Sequence, residues 1–405
     1  MTCSLLAVAY WRISPFLLLL LVIVIAVYAI EILRHRAMLK RIPIRIHVNG
    51  TRGKSSVTRL IAAGLRAGGV PTVAKTTGSA ACLIHRDGSE EPVVRRSSPN
   101  IREQISIVRQ AVAEGAEALV IECMAIRPDL QKVTEKRLVN STIGVITNVR
   151  PDHLEAMGPD LDHVAIALSG TIPRNGKLFA AERRYLDFLR SRTEQRGSAF
   201  HLTAPEQIPT SAEMERFNYI EIPDNVGIAL DVCEDLGVER AKALEGMYGV
   251  TPDIGSTTRT EIVRGEKRLT FINTLAANDP ESTVFMWRFL GLHEHGDQQV
   301  GVLINNRWDR LRRSVDVARV IAKEVLADWY IVAGDHAATF CGVATRTGVP
   351  AEKLISMGDR SPDAVLERIF ALTEKHCTVM GIGNIGGFGL RFVTRLEQER
   401  KGHDS

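Results

Sequence analysis

The fold of this chain is decided by the stretch Ile44–Leu60, I-R-I-H-V-N-G-T-R-G-K-S-S-V-T-R-L. It opens with a β-branched run typical of a buried strand, continues through a glycine turn, and ends in a helical pattern. A phosphate-binding loop needs this order, because glycines let backbone N–H groups approach phosphate oxygens and the helix N-terminus adds its dipole. Lys54 can reach the β- and γ-phosphates, and Ser55 or Ser56 can ligate Mg²⁺. The stretch therefore predicts a nucleoside triphosphate site.

The loop departs from the common pattern G-x-x-x-x-G-K-[ST], because Gly50 lies only three residues before Gly53. A glycine turn that merely joins a strand to a helix, with Lys54 solvated, is the simpler alternative. The strand before the loop and the amphipathic helix after it favour the phosphate site. We therefore expect ATP to contact the whole loop, which consists of Gly50, Thr51, Arg52, Gly53, Lys54, Ser55 and Ser56.

Length and composition are typical of a globular protein with more than one domain. The chain has 405 residues, which suits two or three domains, and its 45% hydrophobic and 24% charged residues are ordinary proportions. The net charge of +4 is small and no basic block carries interleaved aromatic residues, so we expect no nucleic-acid partner. Six scattered cysteines without a Cys-x-x-Cys pair indicate a reducing compartment, without a disulfide framework or zinc site.

An apolar segment near the N-terminus predicts one membrane span. Residues Ser14–Ile32 are almost uncharged and long enough to cross a bilayer. Only Arg12 precedes the segment, whereas a basic cluster follows between Arg34 and Arg41, so the positive-inside rule places the N-terminus outside and the remainder in the cytoplasm. A cleaved signal peptide would need its positive charge on the other side, and a buried core helix would be less hydrophobic. We expect a retained single-pass anchor in the inner membrane.

Alternating strand and helix patterns after the anchor predict two α/β domains. Apolar runs such as Leu119–Glu122 alternate with helical runs such as Ile101–Glu114, which is typical of a mostly parallel sheet covered on both faces. The breaker-rich segment that starts at Thr251 indicates a linker, and a second alternation begins at Arg268. The expected domains are an anchor over 1–40 with its span at about 14–32, a central phosphate-loop domain over 41–255, and a smaller Rossmann-like domain over 256–405.

Polar residues that follow two predicted strands are candidates for a metal site. Ligands of parallel α/β sheets bind at the carboxyl ends of the strands. Glu122 ends one strand, and Asp152, His153 and Glu155 follow another. Mg²⁺ takes one or two protein ligands besides phosphate and water oxygens, and Ser55, Glu122 and His153 would form such a set. Taken singly, Glu122 is equally consistent with an ion pair to an arginine, and His153 with a core or helix-cap position.

Three further residues are candidates for nucleotide contacts, and each also has a purely structural interpretation. Asn225 is suited to contact a base or to cap the helix that follows, with Asp224 as the competing cap. Asp279, which precedes Pro280, fits a helix N-cap. Arg259 either swings onto a phosphate when domains close or stays solvated between them. Spacing alone does not decide among these alternatives.

The motifs together resemble those of the Mur-ligase superfamily, which are ATP-dependent carboxylate–amine ligases. The loop G-T-R-G-K-S-S is similar to that family's G-T-N-G-K-[ST]-[ST], with Arg52 at the asparagine position. N-V-R-P-D-H-L-E at Asn148–Glu155 resembles N-x-x-x-D-H-L-D, and Glu122 matches a strand-end metal glutamate. The resemblance implies ATP and Mg²⁺ as cofactors, with Ser55, Glu122 and His153 as metal ligands.

Shorter likenesses extend the resemblance to the rest of the nucleotide site. The segments P-D-N-V-G-I-A-L, T-T-R-T-E and N-D-P-E-S-T place Asn225 at the nucleotide, Arg259 at a phosphate and Asp279 near the ribose. The same resemblance implies catalytic roles for Lys54, His153 and Arg259. Lys54 and Arg259 would offset the charge that develops at the γ-phosphorus. Many Mur ligases carry a modified lysine about fifteen residues after the histidine, and that neighbourhood, 165–170, contains no lysine here.

A narrower likeness, from the anchor to about Gly387, is to the ligase subunit of capsule-type poly-γ-glutamate synthases. It rests on the phosphate loop and on K-T-T-G-S at Lys75–Ser79, S-P-N-I-R-E-Q at Ser98–Gln104, E-C-M-A-I-R-P-D at Glu122–Asp129, I-N-N-R-W-D-R at Ile304–Arg310 and G-I-G-N-I-G-G at Gly381–Gly387. The likeness implies that glutamate is polymerised through a γ-carboxylate acyl phosphate.

Substrate residues, partners and alternatives follow from this likeness. Polar residues of two motifs are candidate contacts to glutamate and the growing poly-γ-glutamate, namely Lys75, Thr76, Thr77, Arg307 and Arg310. The anchor implies other membrane subunits of a synthase and export complex, and a homo-oligomer is compatible with the sequence. A folylpolyglutamate- or peptide-type ligase on a soluble acceptor is one alternative function. A membrane-tethered transport ATPase without ligase activity is another.

Overall fold

The structure is a computed structural model that describes residues 2–78, 81–95, 99–253 and 255–403, with side chains from residue 15 to residue 401. Three residues of the sequence analysis lie outside these described ranges. They are Ser79 and Ser98, from two of the quoted motifs, and Ile254, from the predicted linker.

Strands and helices alternate along most of the described chain, as the sequence predicts. The strands are β1 Ile44–Asn49, β2 Thr72–Thr76, β3 Cys82–Ile84, β4 Glu90–Pro92, β5 Ala118–Glu122, β6 Ile143–Ile146, β7 Lys177–Ala180, β8 Ala199–Leu202, β9 Thr258–Arg264, β10 Lys267–Asn273, β11 Gln299–Asn306, β12 Trp329–Gly334, β13 Leu354–Gly358 and β14 His376–Ile382. The helices are α1 Thr2–Leu39, α2 Lys54–Ala67, α3 Glu103–Ala113, α4 Pro128–Val133, α5 Leu154–Met157, α6 Leu161–Leu168, α7 Leu186–Glu194, α8 Ser211–Met214, α9 Pro223–Asp235, α10 Arg240–Tyr248, α11 Pro280–Phe289, α12 Leu311–Glu324, α13 Ala337–Arg346, α14 Pro362–Leu372 and α15 Phe388–His403.

The first sheet has the order β4-β3-β2-β5-β1-β6-β7-β8. The strands from β2 to β8 in this order are parallel neighbours, and β3 and β4 add an antiparallel hairpin at one edge. β1 therefore lies between β5 and β6. The chain segments that follow these three strands emerge at one edge of the sheet, where a ligand of an α/β fold binds.

The second sheet has the order β13-β12-β11-β14-β10-β9. All neighbours are parallel except β9 and β10, which pair as an antiparallel hairpin. The segments after β11 and β14 meet at the carboxyl edge of this sheet. The mostly parallel sheets agree with the sequence prediction, whereas the antiparallel edge of each sheet is a finding of the structure.

Helices cover both faces of the second sheet, which explains its continuously apolar strands. On β11, Val302 and Ile304 enter one hydrophobic cluster, whereas Leu303 enters the cluster on the opposite face. Val332 and Ile331 divide in the same way on β12. Because successive side chains of a strand point to opposite faces, burial of both faces removes the usual alternation of apolar and polar residues.

α1 continues beyond the predicted span of residues 14–32. It is long and apolar enough to cross a membrane over Pro15–Leu39, with a mean hydropathy of 3.1. Its last residue, Leu39, is buried in a cluster with Ile42 and Val73 of the following domain. Arg45 Nη1 donates to the carbonyl oxygen of Leu39 at 3.2 Å. The end of α1 is therefore packed into the fold and is not a loose tether.

Two elements end where side chains bond other parts of the chain. α4 continues into a π-helix, Thr134–Val139, in which the carboxylate of Glu135 turns inward and accepts from Ser141 N and Oγ, each at 2.9 Å. β6 ends at Ile146, and the next residue, Thr147, hydrogen-bonds the phosphate loop.

The described chain forms two compact units. The first contains residues up to 77, residues 81–207 and residues 228–247. The second contains residues 208–227 and the chain from residue 248 onward, together with Gly78. The phosphate loop belongs to the first unit, and Asn225, Arg259 and Asp279 belong to the second.

Candidate active site

Two glycines shape the phosphate loop. Gly50 has a φ of 135° and Gly53 a φ of 78°, conformations in which a residue with a Cβ atom is strained. A Cβ atom on Gly50 would lie 2.0 Å from Thr147 Oγ1, so the loop packs directly against the chain that follows β6. Gly53 is the N-cap of α2, and no side chain of the described ranges caps this helix. The start of α2 thus has the geometry of an anion site.

Asn148, which follows β6, holds the loop from one side. Its Oδ1 accepts from Thr51 Oγ1 at 2.6 Å and from Arg52 N at 3.0 Å. Its Nδ2 donates to Arg52 O at 3.0 Å, and Thr147 Oγ1 donates to the same oxygen at 2.6 Å. Sequence reasoning gave Asn148 no role, although its position directly after a strand beside the loop is a signal that points to it.

Lys54 is the first residue of α2 and lies over the loop. Its Nζ donates to Gly50 O at 2.9 Å and to Thr51 O at 3.3 Å. The ammonium group is therefore held beside the backbone that is predicted to bind phosphate.

Ser55 and Glu122 are brought together by the pairing of β1 with β5. Val48 is the partner of Glu122 in the strand register, and α2 begins five residues after β1. Ser55 Oγ donates to Glu122 Oε2 at 2.9 Å, and Thr77 N donates to the same oxygen at 2.5 Å. Glu122 is only 2% exposed. A hydroxyl and a carboxylate are thus in contact at the start of the phosphate-loop helix.

These two side chains fit a magnesium ion by the chemistry of their donors, since Mg²⁺ prefers oxygen ligands and completes its shell with phosphate and water. Among the described residues, no group of three or more His, Cys, Asp and Glu side chains would hold a metal ion without such help. His153, the third predicted ligand, lies 3.2 Å through Nδ1 from Glu155 Oε1 and 3.9 Å through Nε2 from Asp152 Oδ1. The structure therefore joins Ser55 to Glu122, and gives His153 two carboxylate neighbours of its own.

Lys75 is fully buried and forms an ion pair with Glu103. Glu103 also accepts from Arg95 Nε and Nη2, each at 2.9 Å. Burial lowers the pKa of Lys75, and the hydrogen bond and charge of Glu103 counteract this shift. A substrate carboxylate would have to compete with Glu103 for this ammonium group. Of the neighbouring candidates, Thr76 is buried and Thr77 contacts Glu122 through its backbone.

A buried polar pair under the loop was not foreseen from the sequence. His47 of β1 is fully buried, and its Nδ1 lies 2.8 Å from Glu135 Oε2. Burial alone would lower the pKa of His47, but contacts with Cys123 and Glu135 raise it to about 10. Asn49, at the end of the same strand, donates to Gln131 Oε1 at 2.9 Å. These contacts fix the strand that carries the loop.

In the second unit, the three predicted nucleotide residues lie on different elements. Arg259 is exposed on β9. Asp279 is the N-cap of α11 and accepts from Ser282 N at 2.9 Å, as its structural interpretation predicts. The alternative that Asn225 or Asp224 caps a helix is wrong, because α9 already begins at Pro223; the Asn225 amide donates to Glu221 Oε1 at 2.9 Å.

Arg307 and Arg310 border a small polar pocket at the carboxyl end of β11. Arg307 Nη2 lies 3.0 Å and Arg310 Nε 3.6 Å from Asp309 Oδ2, so two guanidinium groups share one carboxylate. Asn306 lines the same pocket and is 4% exposed, and its Nδ2 has no hydrogen-bond partner among the described residues. An anion with two oxygens would satisfy both the amide and the guanidinium groups. Asn306 was missed by sequence reasoning, although it belongs to a quoted motif.

Comparisons with known proteins find two matching families and curated relatives over most of the chain. The Mur ligase middle domain family matches residues 48–174, and the family described as poly-gamma-glutamate synthase CapB C-terminal domain matches residues 259–399. The capsule biosynthesis protein CapB of Bacillus anthracis is 35% identical over 370 residues, which are 91% of this chain and 79% of that protein. The PGA synthase CapB of Bacillus subtilis (strain 168) is 32% identical over 378 residues, which are 93% of this chain and 96% of that protein.

Solved structures share the fold at low identity. A bifunctional folylpolyglutamate synthase/dihydrofolate synthase from Yersinia pestis, complexed with AMPPNP and a Mn ion, has a TM-score of 0.64 and 13% identity over 91% of this chain and 92% of that one. The folylpolyglutamate synthase of Mycobacterium tuberculosis, complexed with ADP, has a TM-score of 0.64 and 14% identity, over 90% of this chain and 94% of that one. MurF from Acinetobacter baumannii has a TM-score of 0.62 and 15% identity, over 91% of this chain and 78% of that one. These similarities confirm the predicted α/β architecture.

Proposed function

Because this chain belongs to the family of CapB-type poly-γ-glutamate synthases, we propose that it is an ATP-dependent ligase that joins glutamate units through γ-amide bonds. The observation that carries the proposal is the contact of Ser55 with Glu122 at the start of α2, beside a loop shaped for phosphate. Mg²⁺ bound to ATP takes oxygen ligands from the protein, and this hydroxyl and carboxylate would supply them.

The reaction has two covalent steps. A γ-carboxylate oxygen of one glutamate attacks the γ-phosphorus of ATP and ADP leaves, after which the amine of a second glutamate attacks the acyl carbon and phosphate leaves. The N–H groups of the loop and Lys54 bind the phosphates and offset the charge that develops on the transferred group. Asn148 keeps the loop in position during both steps, because its amide bonds the backbone of the loop.

Ser55 and Glu122 are the residues that would hold Mg²⁺, and we keep His153 as a third proposed ligand. The ion supplies charge neutralisation at the phosphate oxygens. The nearby carboxylates of Asp152 and Glu155 orient the imidazole, and they supply negative charge that favours a cation at this edge of the sheet.

We assign the remaining nucleotide contacts to three residues of the second unit. Arg259, exposed on β9, is proposed to meet a phosphate, and Asp279 at the start of α11 is proposed to lie near the ribose. Asn225 is proposed to contact the nucleotide through the part of its amide that does not bond Glu221. The support for each is its match to a family motif together with a fixed backbone position.

The pocket beside Arg307 and Arg310 is proposed to bind a carboxylate of glutamate or of the growing polymer. Two guanidinium groups and the unsatisfied Nδ2 of Asn306 offer more donors than Asp309 alone can satisfy. Lys75, Thr76 and Thr77 are proposed to line the path of the polymer in the first unit, with Lys75 acting from its ion pair with Glu103.

The protein is proposed to be anchored in the inner membrane by α1, with its N-terminus outside and both units in the cytoplasm. The support is the apolar stretch of α1 and the basic residues at its end. Other membrane subunits of a synthase and export complex are proposed partners, and self-association is a further proposal. Protease protection in sealed vesicles and purification of the tagged full chain test these assignments.

The decisive experiment incubates membranes containing the full chain with glutamate and Mg²⁺-ATP and analyses labelled products. We expect ATP consumption that depends on glutamate, and a product whose amide bonds run through γ-carboxylates. ATP turnover that needs no glutamate and yields no polymer would overturn the ligase assignment and would support a transport ATPase. Extension of a folate acceptor in preference to glutamate polymer would support a folylpolyglutamate-type ligase, which here has only the fold in its favour.

A further inference from the structure

A cavity of about 470 Å³ lies in the first unit, where the end of α1 meets the start of α3 and the π-helix. α1 contributes Tyr28, Ile32, His35 and Arg36, which recur at spacings of three and four residues and therefore share one face of the helix. The proposed reaction uses none of these side chains. The volume is within the range of cavities that hold small ligands.

The lining divides into an apolar wall and a basic rim. The wall consists of Ile32, Ile101, Ile105, Val133 and Leu138. Arg36 and Arg137 lie exposed at the rim, and neither forms an ion pair with any residue that the structure describes. Arg102, the third arginine of the cavity, donates to Glu31 Oε1 at 2.8 Å, so the carboxylate of the lining is already neutralised. The cavity therefore carries an excess of positive charge beside an apolar surface.

His35 adds a buried polar atom to this lining. It is 4% exposed, and its Nε2 lies 2.8 Å from Leu138 O. A carbonyl oxygen only accepts, so Nε2 donates, and Nδ1 of the neutral ring is left as an acceptor. Within the described chain Nδ1 has no hydrogen-bond partner. A ligand with a hydroxyl group would satisfy it.

The position of the cavity along α1 corresponds to the edge of a bilayer. The uncharged part of the described span runs from Pro15 to Ile30, and the basic residues begin at Arg34. At about 1.5 Å per residue, the segment from Pro15 to Leu33 is ~28 Å long, close to the ~30 Å of a hydrocarbon core. His35 and Arg36 then lie at the level of the lipid headgroups.

We propose that this cavity binds the headgroup of an anionic phospholipid that carries a hydroxyl group, for which phosphatidylglycerol is the probe; the proposal rests on the membrane anchorage proposed above. The phosphate contacts Arg36 and Arg137, a glycerol hydroxyl donates to His35 Nδ1, and the first acyl carbons cover the apolar wall. A helix of another membrane subunit fits less well, because it would bury two arginines without a counter-charge.

The bound lipid would join three elements of the first unit at the membrane surface. α1 carries Arg36, α3 carries Ile105, and the π-helix carries Arg137. α3 also begins with Glu103, the partner of buried Lys75. An anionic lipid in this cavity would therefore add to the contacts that already hold the end of α1 against the first unit.

The test uses the full chain in nanodiscs of phosphatidylcholine alone or of equal parts phosphatidylcholine and phosphatidylglycerol, followed by exchange into a neutral detergent and native mass spectrometry. The variant Arg36→Gln/Arg137→Gln is compared with Arg34→Gln/Lys40→Gln, which removes the same number of positive charges near the end of α1 at two residues that do not line the cavity. We expect wild type and the control to retain phosphatidylglycerol, and the cavity variant to retain about tenfold less. His35→Phe is expected to reduce retention as well.

Equal retention by the two double variants would overturn the proposal, because it would show general attraction to a charged surface. A photo-crosslinker at Ile105 is expected to capture lipid in native membranes, and capture of another protein would also overturn it. Thermal unfolding checks that each variant is folded. Extraction of the chain by alkaline carbonate would refute the anchorage itself, and the ligase assay in detergent reports separately on the proposed function.

Discussion

Ser55 Oγ donates a hydrogen bond of 2.9 Å to Glu122 Oε2, and so joins the first turn of the phosphate-loop helix to the end of β5. The two residues are 67 positions apart in the chain. Parallel pairing of β1 with β5 brings them together, since the carboxyl ends of both strands lie at one edge of the sheet. We expect the two side chains to act as one metal-binding unit.

Replacement of Glu122 by Gln removes the carboxylate charge but keeps the shape of the side chain. We expect ligase activity to fall about 100-fold or more, because a metal held at the phosphates supplies several kcal/mol of charge stabilisation. Ser55→Ala is expected to reduce ligase activity by a smaller factor than Glu122→Gln. Activity measured against Mg²⁺ concentration checks this, with the exposed Glu91→Gln as the control. An unchanged Mg²⁺ dependence in Glu122→Gln would rule out the metal assignment.

Lys54→Ala is expected to lower polymer synthesis by about 1,000-fold, because a cation at the transferred phosphoryl group offsets its developing charge. The protein should remain in the membrane fraction with an unchanged melting temperature. Lys242→Ala, on the exposed side of α10, is the matched control and should be fully active. Undiminished synthesis by Lys54→Ala would refute the phosphate-loop assignment.

Asn148→Ala is expected to raise KM for ATP about tenfold or more, because the loop loses three hydrogen bonds at about 0.5–1.5 kcal/mol each. Asn148→Asp keeps the acceptor for Thr51 Oγ1 and Arg52 N but loses the donor, so its effect should be intermediate. Steady-state kinetics separate KM from kcat. If both variants bound ATP as tightly as wild type, the loop would not need this support.

Glu103→Gln leaves the ammonium group of Lys75 buried without its counter-charge. We expect the free energy of unfolding to fall by about 3–5 kcal/mol, as for other buried pairs that lose one partner. The double variant Lys75→Met/Glu103→Gln should recover most of this loss, since no ammonium group stays buried and the guanidinium group of Arg95 is partly exposed. Urea unfolding of the full chain in detergent measures both. Equal stability of the single and double variants would contradict a buried charge at Lys75.

Stability at alkaline pH should depend on His47. Its pKa is raised to about 10 by Cys123 and Glu135, against the effect of burial, whereas the unfolded chain titrates at about 6.5. The raised pKa of His47 therefore stabilises the folded state in full below about pH 6.5, where the imidazole is protonated in both states. This stabilisation is lost as the pH rises through 10. The free energy of unfolding should fall by at most about 1.4 kcal/mol per pH unit in this interval.

His47→Gln should remove the slope of unfolding free energy against pH between neutral and alkaline conditions. Denaturation of the full chain at a series of pH values is the measurement, and His163→Gln, which is half exposed, is the control. A slope that persists in His47→Gln would assign the alkaline loss of stability to another group.

The sequence predicted residues that act through local order. Four of them lie within six positions of the chain, namely Gly50, Gly53, Lys54 and Ser55. Their relative positions therefore follow from a strand, a turn and a helix in that order, without contacts to the rest of the chain. Glu122 was also predictable, because a carboxylate at the end of a parallel strand lies at the edge where ligands bind. These inferences need only the type and order of the elements.

Other features depended on which distant elements pack together. From the sequence, Lys75 was a candidate contact to a substrate carboxylate, yet the fold pairs it with Glu103, 28 residues later. His47 reads as part of an apolar strand, and its partner Glu135 lies on a π-helix that no periodicity indicated.

The sequence by itself determined the loop between β1 and α2, the apolar stretch of α1 and the alternation of strands and helices, because each follows from a local residue pattern that favours one conformation. Only the tertiary structure decided which charges are buried and paired, that Asn148 supports the loop, and that the end of α1 borders a basic cavity. The physical reason is that these relationships join residues far apart in the chain, whose distances are set by strand order and helix packing and not by local preference.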